Sequence, residues 1–294
     1  MVEVFLGREA LRDGLTRHEL RRFYRPMFRG VYIPKRATPS LHDRALGAWL
    51  TSDRKGVIAG VAASALHGAQ WVDDTQPIEV LVDERRRQPG LVIRMDRVAE
   101  DEVTTLEGLP VTTRARTAFD IGRYATRYEA IGRMDALMRE APFCIEDVNA
   151  LMRRYGPVRG VRQLRGLLPL VDAGGASPRE SGLRLLLIDA DFAVPETQIP
   201  VLDEGGAPVA FLDMGWRQLQ LAVEYDGDQH RTDRAQYVRD LRRMPMVEKR
   251  GWEVIRVVME DRPAAVIARV REAYNRRGGA GIDEMAPVTR TFAA

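Results

Sequence analysis

Between Tyr128 and Leu170 the apolar residues recur at helical spacing: Ile131, Met134, Leu137 and Met138, then Val148, Leu151 and Met152, then Val161, Leu164, Leu167 and Leu168. Steps of three and four put each set on one face, so the stretch predicts amphipathic helices whose stripes are core. Paired glycines in Asp172-Ala-Gly-Gly-Ala-Ser177 end that pattern and mark the strongest domain boundary in the chain. Ser177-x-x-Glu180 with Pro178 then opens a new helix through a capping box, which by itself accounts for a Glu at position 180.

Beyond the boundary the pattern predicts a helix over 178–189, strands over 196–202, 208–213 and 218–226, a helix over 233–250, a strand over 252–258 and a helix over 263–276. Met214-Gly215-Trp216 reads as the turn between the second and third strands. Antiparallel strands followed by a crossover helix describe an α/β/α sandwich with a mixed sheet. Upstream, residues 7–36 predict two short helices and a β-wing, the second helix capped by Thr16 with Glu19 three residues on. Residues 37–142 predict an α+β unit, with a helix from Ser40 to Leu50, strands at 78–82 and 91–95, and a helix opened by Thr113.

Composition adds limits. The chain is 45% hydrophobic and 30% charged, an ordinary globular balance for two or three domains in 294 residues. There is no apolar run near eighteen residues and no signal-peptide layout, so a cytoplasmic protein with no membrane contact is expected. The single cysteine, Cys144, excludes an internal disulfide and a cysteine zinc cluster, and is expected to be a small buried apolar residue. Net charge is only +3, but residues 1–36 hold nine Lys and Arg against four Asp and Glu. Arg17, Arg21, Arg22 and Arg25 line one face of the second predicted helix, and Arg29 follows in the wing. That layout is a compact winged helix, in which the second helix enters the major groove of DNA and arginines hold phosphates or guanine edges.

The candidate chemistry lies from Asp213 to His230. On a strand, Glu224 and Asp226 share one face with Ala222, about 6–7 Å apart, while Leu221, Val223 and Tyr225 take the other. A hairpin brings Asp213 beside them. Three carboxylates in one place raise each other's pKa unless a cation sits among them, and all-oxygen ligands suit Mg²⁺ or Mn²⁺. The chemistry suggested is metal-assisted phosphodiester hydrolysis, and the alternative is a solvated acidic turn. Among Arg114, Arg116, Asp120 and His67, satisfied structural hydrogen bonds are expected. Arg234, Arg239, Arg242 and Arg243 fall on or near one helix, as a face for backbone phosphates or for solvent.

Two resemblances add to this reading. The blocks Ser177-Pro-Arg-Glu180, Pro195-Glu-Thr-Gln198, Phe211-Leu-Asp213, Val223-Glu-Tyr-Asp-Gly-Asp-Gln-His230, Arg239-Asp240 and Gly251-Trp-Glu-Val-Ile-Arg256 resemble a domain family related to very-short-patch-repair endonucleases, within the PD-(D/E)xK nuclease superfamily. The resemblance implies a restriction-endonuclease-like fold, with Asp213 as central metal ligand and Glu224 as the acid of the (D/E)xK element. Glu180 would be a further acid and Gln198 a polar residue on the first strand. Asp226 stands where that superfamily places Lys, and a carboxylate cannot replace an ammonium there. His230 matches a His just beyond the strand and would assist proton transfer. Separately, Leu15-Thr-Arg-His-Glu-Leu-Arg-Arg-Phe23, Phe28-Arg-Gly-Val-Tyr-Ile-Pro34 and Ala59-Gly-Val-Ala-Ala-Ser-Ala-Leu-His-Gly68 are similar to the N-terminal domain of abortive-infection-type (type IV) antitoxins.

The expected organisation is a winged-helix DNA-binding region at 1–36, an antitoxin-like α+β middle domain at 37–142, a helical connector and Gly-rich linker at 143–176, a nuclease-like domain at 177–278 and a disordered tail at 279–294. The expected function is a Mg²⁺-dependent DNA endonuclease directed by its N-terminal region. The alternative is a DNA-binding antitoxin or transcriptional regulator whose nuclease-like domain is inactive. A toxin partner and homodimerisation stay open.

Overall fold

The computed structural model describes residues 2–83, 87–226 and 243–279. His230, Arg234, Arg239 and Arg242 lie outside these residues, as does the predicted tail from 280 onward. The fold is mixed α/β, and the chain divides into two compact units, Met1–Ala173 and Gly174–Ala294.

The first unit begins with β1 (Phe5–Leu6), α1 (Gly7–Arg12), α2 (Arg17–Phe23), β2 (Tyr24–Phe28) and β3 (Val31–Pro34). The strands form an antiparallel sheet in the order β1-β3-β2. Helix α2 starts at position 17 because Thr16 and Glu19 form a reciprocal capping box: Thr16 Oγ1 accepts the Glu19 N–H at 3.2 Å, and Glu19 Oε2 accepts the Thr16 N–H at 2.9 Å. Ser40 and Asp43 repeat the device at α3 (Leu41–Thr51). Helix α3 lies directly on the N-terminal sheet. A Cβ on Gly47 would stand 2.2 Å from Met27 Cε, so a larger residue here would require the end of the Met27 side chain to shift. Leu6, Phe28 and Val31 share a single apolar core with α3 and with Ile58, Ile78, Val80, Leu109 and Val111. Segments 1–36 and 37–142 are therefore folded around the same interior.

That interior continues into a five-stranded mixed sheet, order β6-β5-β4-β8-β7, made of β4 (Val57–Ala59), β5 (Ile78–Leu81), β6 (Leu91–Arg94), β7 (Val103–Leu106) and β8 (Leu109–Thr112). Helix α4 (Gly60–Leu66) follows β4, and α5 (Arg114–Tyr124) follows β8, capped by Thr113 as the sequence predicts. Helices α6 (Arg127–Glu140), α7 (Ile145–Tyr155) and α8 (Val161–Leu167) bury Ile131, Met134, Leu137, Val148, Leu151, Leu164 and Leu167 from the predicted stripes. Each such side chain contributes about 1.5–3 kcal/mol of transfer free energy. Cys144 departs from expectation. It is exposed, because it is the residue before α7 rather than part of the stripe, and its Sγ donates to Glu146 Oε2 at 3.0 Å.

The second unit holds α9 (Pro178–Asp189), β9 (Glu196–Leu202), β10 (Pro208–Trp216), β11 (Leu221–Asp226), a helical segment at residues 243–249 (α10), β12 (Glu253–Val258) and α11 (Pro263–Arg276). The sheet order is β12-β11-β10-β9, antiparallel except for the parallel pair β11/β12. Met214, Trp216, Val223 and Val257 pack with Leu183 and Leu187 of α9 and with Val266, Val270 and Tyr274 of α11. Ile199, Leu212 and Ala222 pack with Val247 of α10. The alternation predicted along β11 therefore holds for Leu221, Ala222 and Val223.

The predicted turn is corrected. Strand β10 runs through Met214-Gly215-Trp216, and the chain reverses in a 3₁₀ turn at Arg217–Leu219 with Gln220 left-handed. Met214 and Trp216 are core side chains, and Trp216 Nε1 donates to the Ala193 carbonyl at 2.9 Å. Gly215 is needed for close strand approach: a Cβ there would stand 2.2 Å from the Leu221 oxygen.

Candidate functional site

The acidic residues meet where the β10/β11 ladder breaks. Pairing runs from Trp216↔Leu221 to Met214↔Val223, and the next rung is made by a side chain: the Tyr225 N–H donates to Asp213 Oδ2 at 2.9 Å. Continuing the register places Asp213 beside Glu224, and β12 brings Arg256 next to Glu224 on its other side. On β9, Gln198 falls between Ile199, paired with Leu212, and Thr197, paired with Met214. Gln198 has φ of 49°, a left-handed conformation that costs a non-glycine residue about 1–3 kcal/mol inside a strand. The row Gln198, Asp213, Glu224, Arg256 thus crosses four strands at a local distortion.

Glu224 is 6% exposed, and burial pushes its carboxyl up to about 7. The neighbouring Asp213 pushes in the same direction, while Arg243 and Arg256 pull it back down. Arg243, expected on a phosphate-facing helix, instead turns inward. Its Nη2 donates to both Glu224 oxygens at 2.9 and 3.0 Å, and its Nη1 donates to the Phe211 carbonyl at 2.8 Å. Asp226 follows two residues after Glu224 and is half-buried. Glu180 is committed to its helix cap: Oε1 accepts the Ser177 hydroxyl at 3.0 Å and Oε2 accepts the Ala176 N–H at 3.1 Å. Among the described residues no group of three or more His, Cys, Asp or Glu side chains is placed to hold a metal ion. With both Glu224 oxygens engaged by Arg243, the described side chains do not fit Mg²⁺ or Mn²⁺ as they stand.

The basic face has the opposite character. Arg17, Arg21 and Arg22 of α2 are exposed, as is Arg29 in the β2–β3 turn, and none of their side chains has an ion-pair or hydrogen-bond partner among the described residues. Arg22 lies 5.3 Å from the ring centre of Phe23, which is 53% exposed. Only Leu20 of this helix is buried. Arg25 differs, since its Nη2 donates to the Ala37 carbonyl at 3.0 Å and ties the segment down. Other arginines of this unit are matched to acids, among them Arg8 with Asp53, Arg54 with Glu9 and Arg94 with Glu79.

The sequence marks Arg116 and Asp120 as structural hydrogen bonders but not their partners Glu102, Arg154 and Tyr155 in a buried network of the first unit. Arg116 is fully buried and pairs with Asp120 at 3.0 Å and with Glu102. Glu102 also accepts from Arg154 at 2.6 Å and from the Tyr155 hydroxyl at 2.7 Å. The expected structural hydrogen bonds are present, but Arg114 and His67 make theirs separately, to the Pro142 and Thr112 carbonyls. The i, i+4 spacing of Arg116 and Asp120 was the available signal.

Among the described residues no helix is long and apolar enough to cross a membrane. The chain is similar to Uncharacterized protein Rv2248 of Mycobacterium tuberculosis strain ATCC 25618 / H37Rv and to Uncharacterized protein MT2308 of strain CDC 1551 / Oshkosh. Each is 28% identical over 223 residues, which cover 74% of this chain and 81% of the relative. No solved structure matches the chain significantly. Residues 56–170, from just before β4 to the end of the helical stripes, match the family described as AbiEi antitoxin C-terminal domain, a span that includes the Ala59–Gly68 block.

Proposed function

We propose that this protein is a DNA-binding regulator of the antitoxin type, with α2 and the β2–β3 turn as its DNA contact and a cognate toxin as a second partner. The observation that carries the reading is the set of exposed arginines, Arg17, Arg21, Arg22 and Arg29, gathered on one short helix and the adjoining turn without acidic partners among the described residues. Unpaired guanidinium groups are the ones free to hold phosphates and to displace condensed counterions. The match over residues 56–170 supports the antitoxin class. Autoregulation of its own promoter is the expected behaviour. A gel-shift titration on the DNA upstream of its own gene, with random duplex as competitor, tests this, and no retardation at low salt would remove the reading.

The second reading is a metal-dependent endonuclease, favoured by Asp213 and Glu224 standing side by side at a distorted strand pair. It requires Arg243 to release Glu224, and for that reason it ranks second. Supercoiled-plasmid nicking in Mg²⁺ or Mn²⁺ that disappears in Asp213→Ala would place it first.

A further inference from the structure

We propose that Arg243 is the resident cation of the acidic row, and that this guanidinium and a divalent metal exclude one another at Glu224. Nη2 sits in the bite of the carboxylate, donating to both oxygens at 2.9 and 3.0 Å, where a bidentate metal would bind. Nη1 is fixed to the Phe211 carbonyl at 2.8 Å, so the group bridges β11 and β10. The backbone behind it is held as well: Val247, four residues on in α10, is buried with Ile199, Leu212 and Ala222. Release of Arg243 would therefore break its bonds to both Glu224 and the Phe211 carbonyl.

Charge leads to the same conclusion. Among the described residues, Arg243 and Arg256 both act on Glu224 against the push of Asp213. Asp213 Oδ2 already accepts the Tyr225 N–H at 2.9 Å. A metal entering this row would stand against a guanidinium in a poorly solvated place, where like charges repel far more strongly than in water. The acidic row closes on its own chain, and Arg243 is the residue that closes it. The inference is independent of DNA binding by α2 and separates the two functional readings at the level of metal binding.

The test is a Mn²⁺ titration of the full chain, followed by electron paramagnetic resonance of the free ion, on wild type, Glu224→Gln, Arg243→Gln and the double variant Arg243→Gln/Asp213→Asn. Expected is no Glu224-dependent Mn²⁺ site in the wild type, one stoichiometric site gained in Arg243→Gln, and loss of that site in the double variant. A saturable wild-type site abolished by Glu224→Gln overturns the proposal. So does an Arg243→Gln protein that keeps its circular dichroism spectrum yet gains no site. Should Arg243→Gln fail to fold, wild type against Glu224→Gln decides alone, since a Glu224-dependent site refutes the proposal and its absence supports it.

Discussion

Arg116 and Arg243 both meet buried carboxylates, but their surroundings differ in a way that separates scaffold from site. Arg116 lies within a regular helix, and its acids have further partners: Glu102 is also held by Arg154 and Tyr155, and Asp120 also faces Arg123. Burial raises Asp120 to about 6 while Arg116 and Arg123 draw it down. Arg243 is the one hydrogen-bond donor to the Glu224 carboxylate shown among the described residues, at a rung where the ladder has given way beside a left-handed Gln198. Many partners in regular geometry make a network redundant and rigid. A carboxylate held beside a left-handed strand residue marks a place whose geometry is not set by stability alone.

The largest expected effect tests that contrast directly. Arg116→Ala removes the fully buried cation shared by Glu102 and Asp120, leaves Asp120 only its longer contact to Arg123, and is expected to cost the first unit about 3–5 kcal/mol in urea denaturation. Arg243→Ala should cost the second unit less, about 1–2 kcal/mol, because Arg243 is partly solvated and Glu224 is able to take up a proton. Equal losses would erase the distinction. Gly215→Ala follows, at about 1–3 kcal/mol, because the added Cβ must push two strands apart. A neutral result there would restore the turn that local sequence suggests.

The pH dependence sharpens the contrast. Glu224 has a folded pKa of about 7 against an ordinary 4.5, so the stability it contributes is fully present below about pH 4.5 and is lost as pH rises through about 7. Glu224→Gln is expected to remove this slope, leaving wild type about 1–3 kcal/mol less stable relative to the variant at about pH 8 than at about pH 5. Parallel profiles would show that Glu224 carries no such raised pKa. Last in size, Gln198→Gly relieves the left-handed strand residue and should stabilise the second unit by about 1 kcal/mol or less in thermal denaturation.

Local signals were legible and crossings between elements were not. The capping box at Thr16/Glu19, the helix start at Ser40 and the stripes of α6 to α8 depend on residues within one or two turns, and the sequence shows them directly. Gly215 was misread because a turn glycine and a close-approach glycine look the same until the facing strand is known. Arg243 could be placed on a helix beside the acids, but which way it turns depends on how that helix returns across β10 and β11. The links from Arg116 to Glu102, and from Glu102 to Arg154, join residues far apart in sequence for the same reason. The shared core of Leu6, Phe28 and Ala48 likewise appears only once α3 is folded onto the N-terminal sheet.

A third group of arginines, exposed and without acidic partners, carries the functional reading. Its most direct test is fluorescence anisotropy of a labelled duplex from upstream of the gene, titrated with the full chain over a range of salt, for wild type and for Arg17→Ala/Arg21→Ala/Arg22→Ala. Expected is salt-dependent binding by the wild type, with a triple variant that folds normally, binds more weakly and has a log–log salt slope shallower by about 3, at roughly 0.9 per lost phosphate contact. An unchanged slope and affinity in the triple variant would show that α2 is not the DNA contact and would contradict the proposed function.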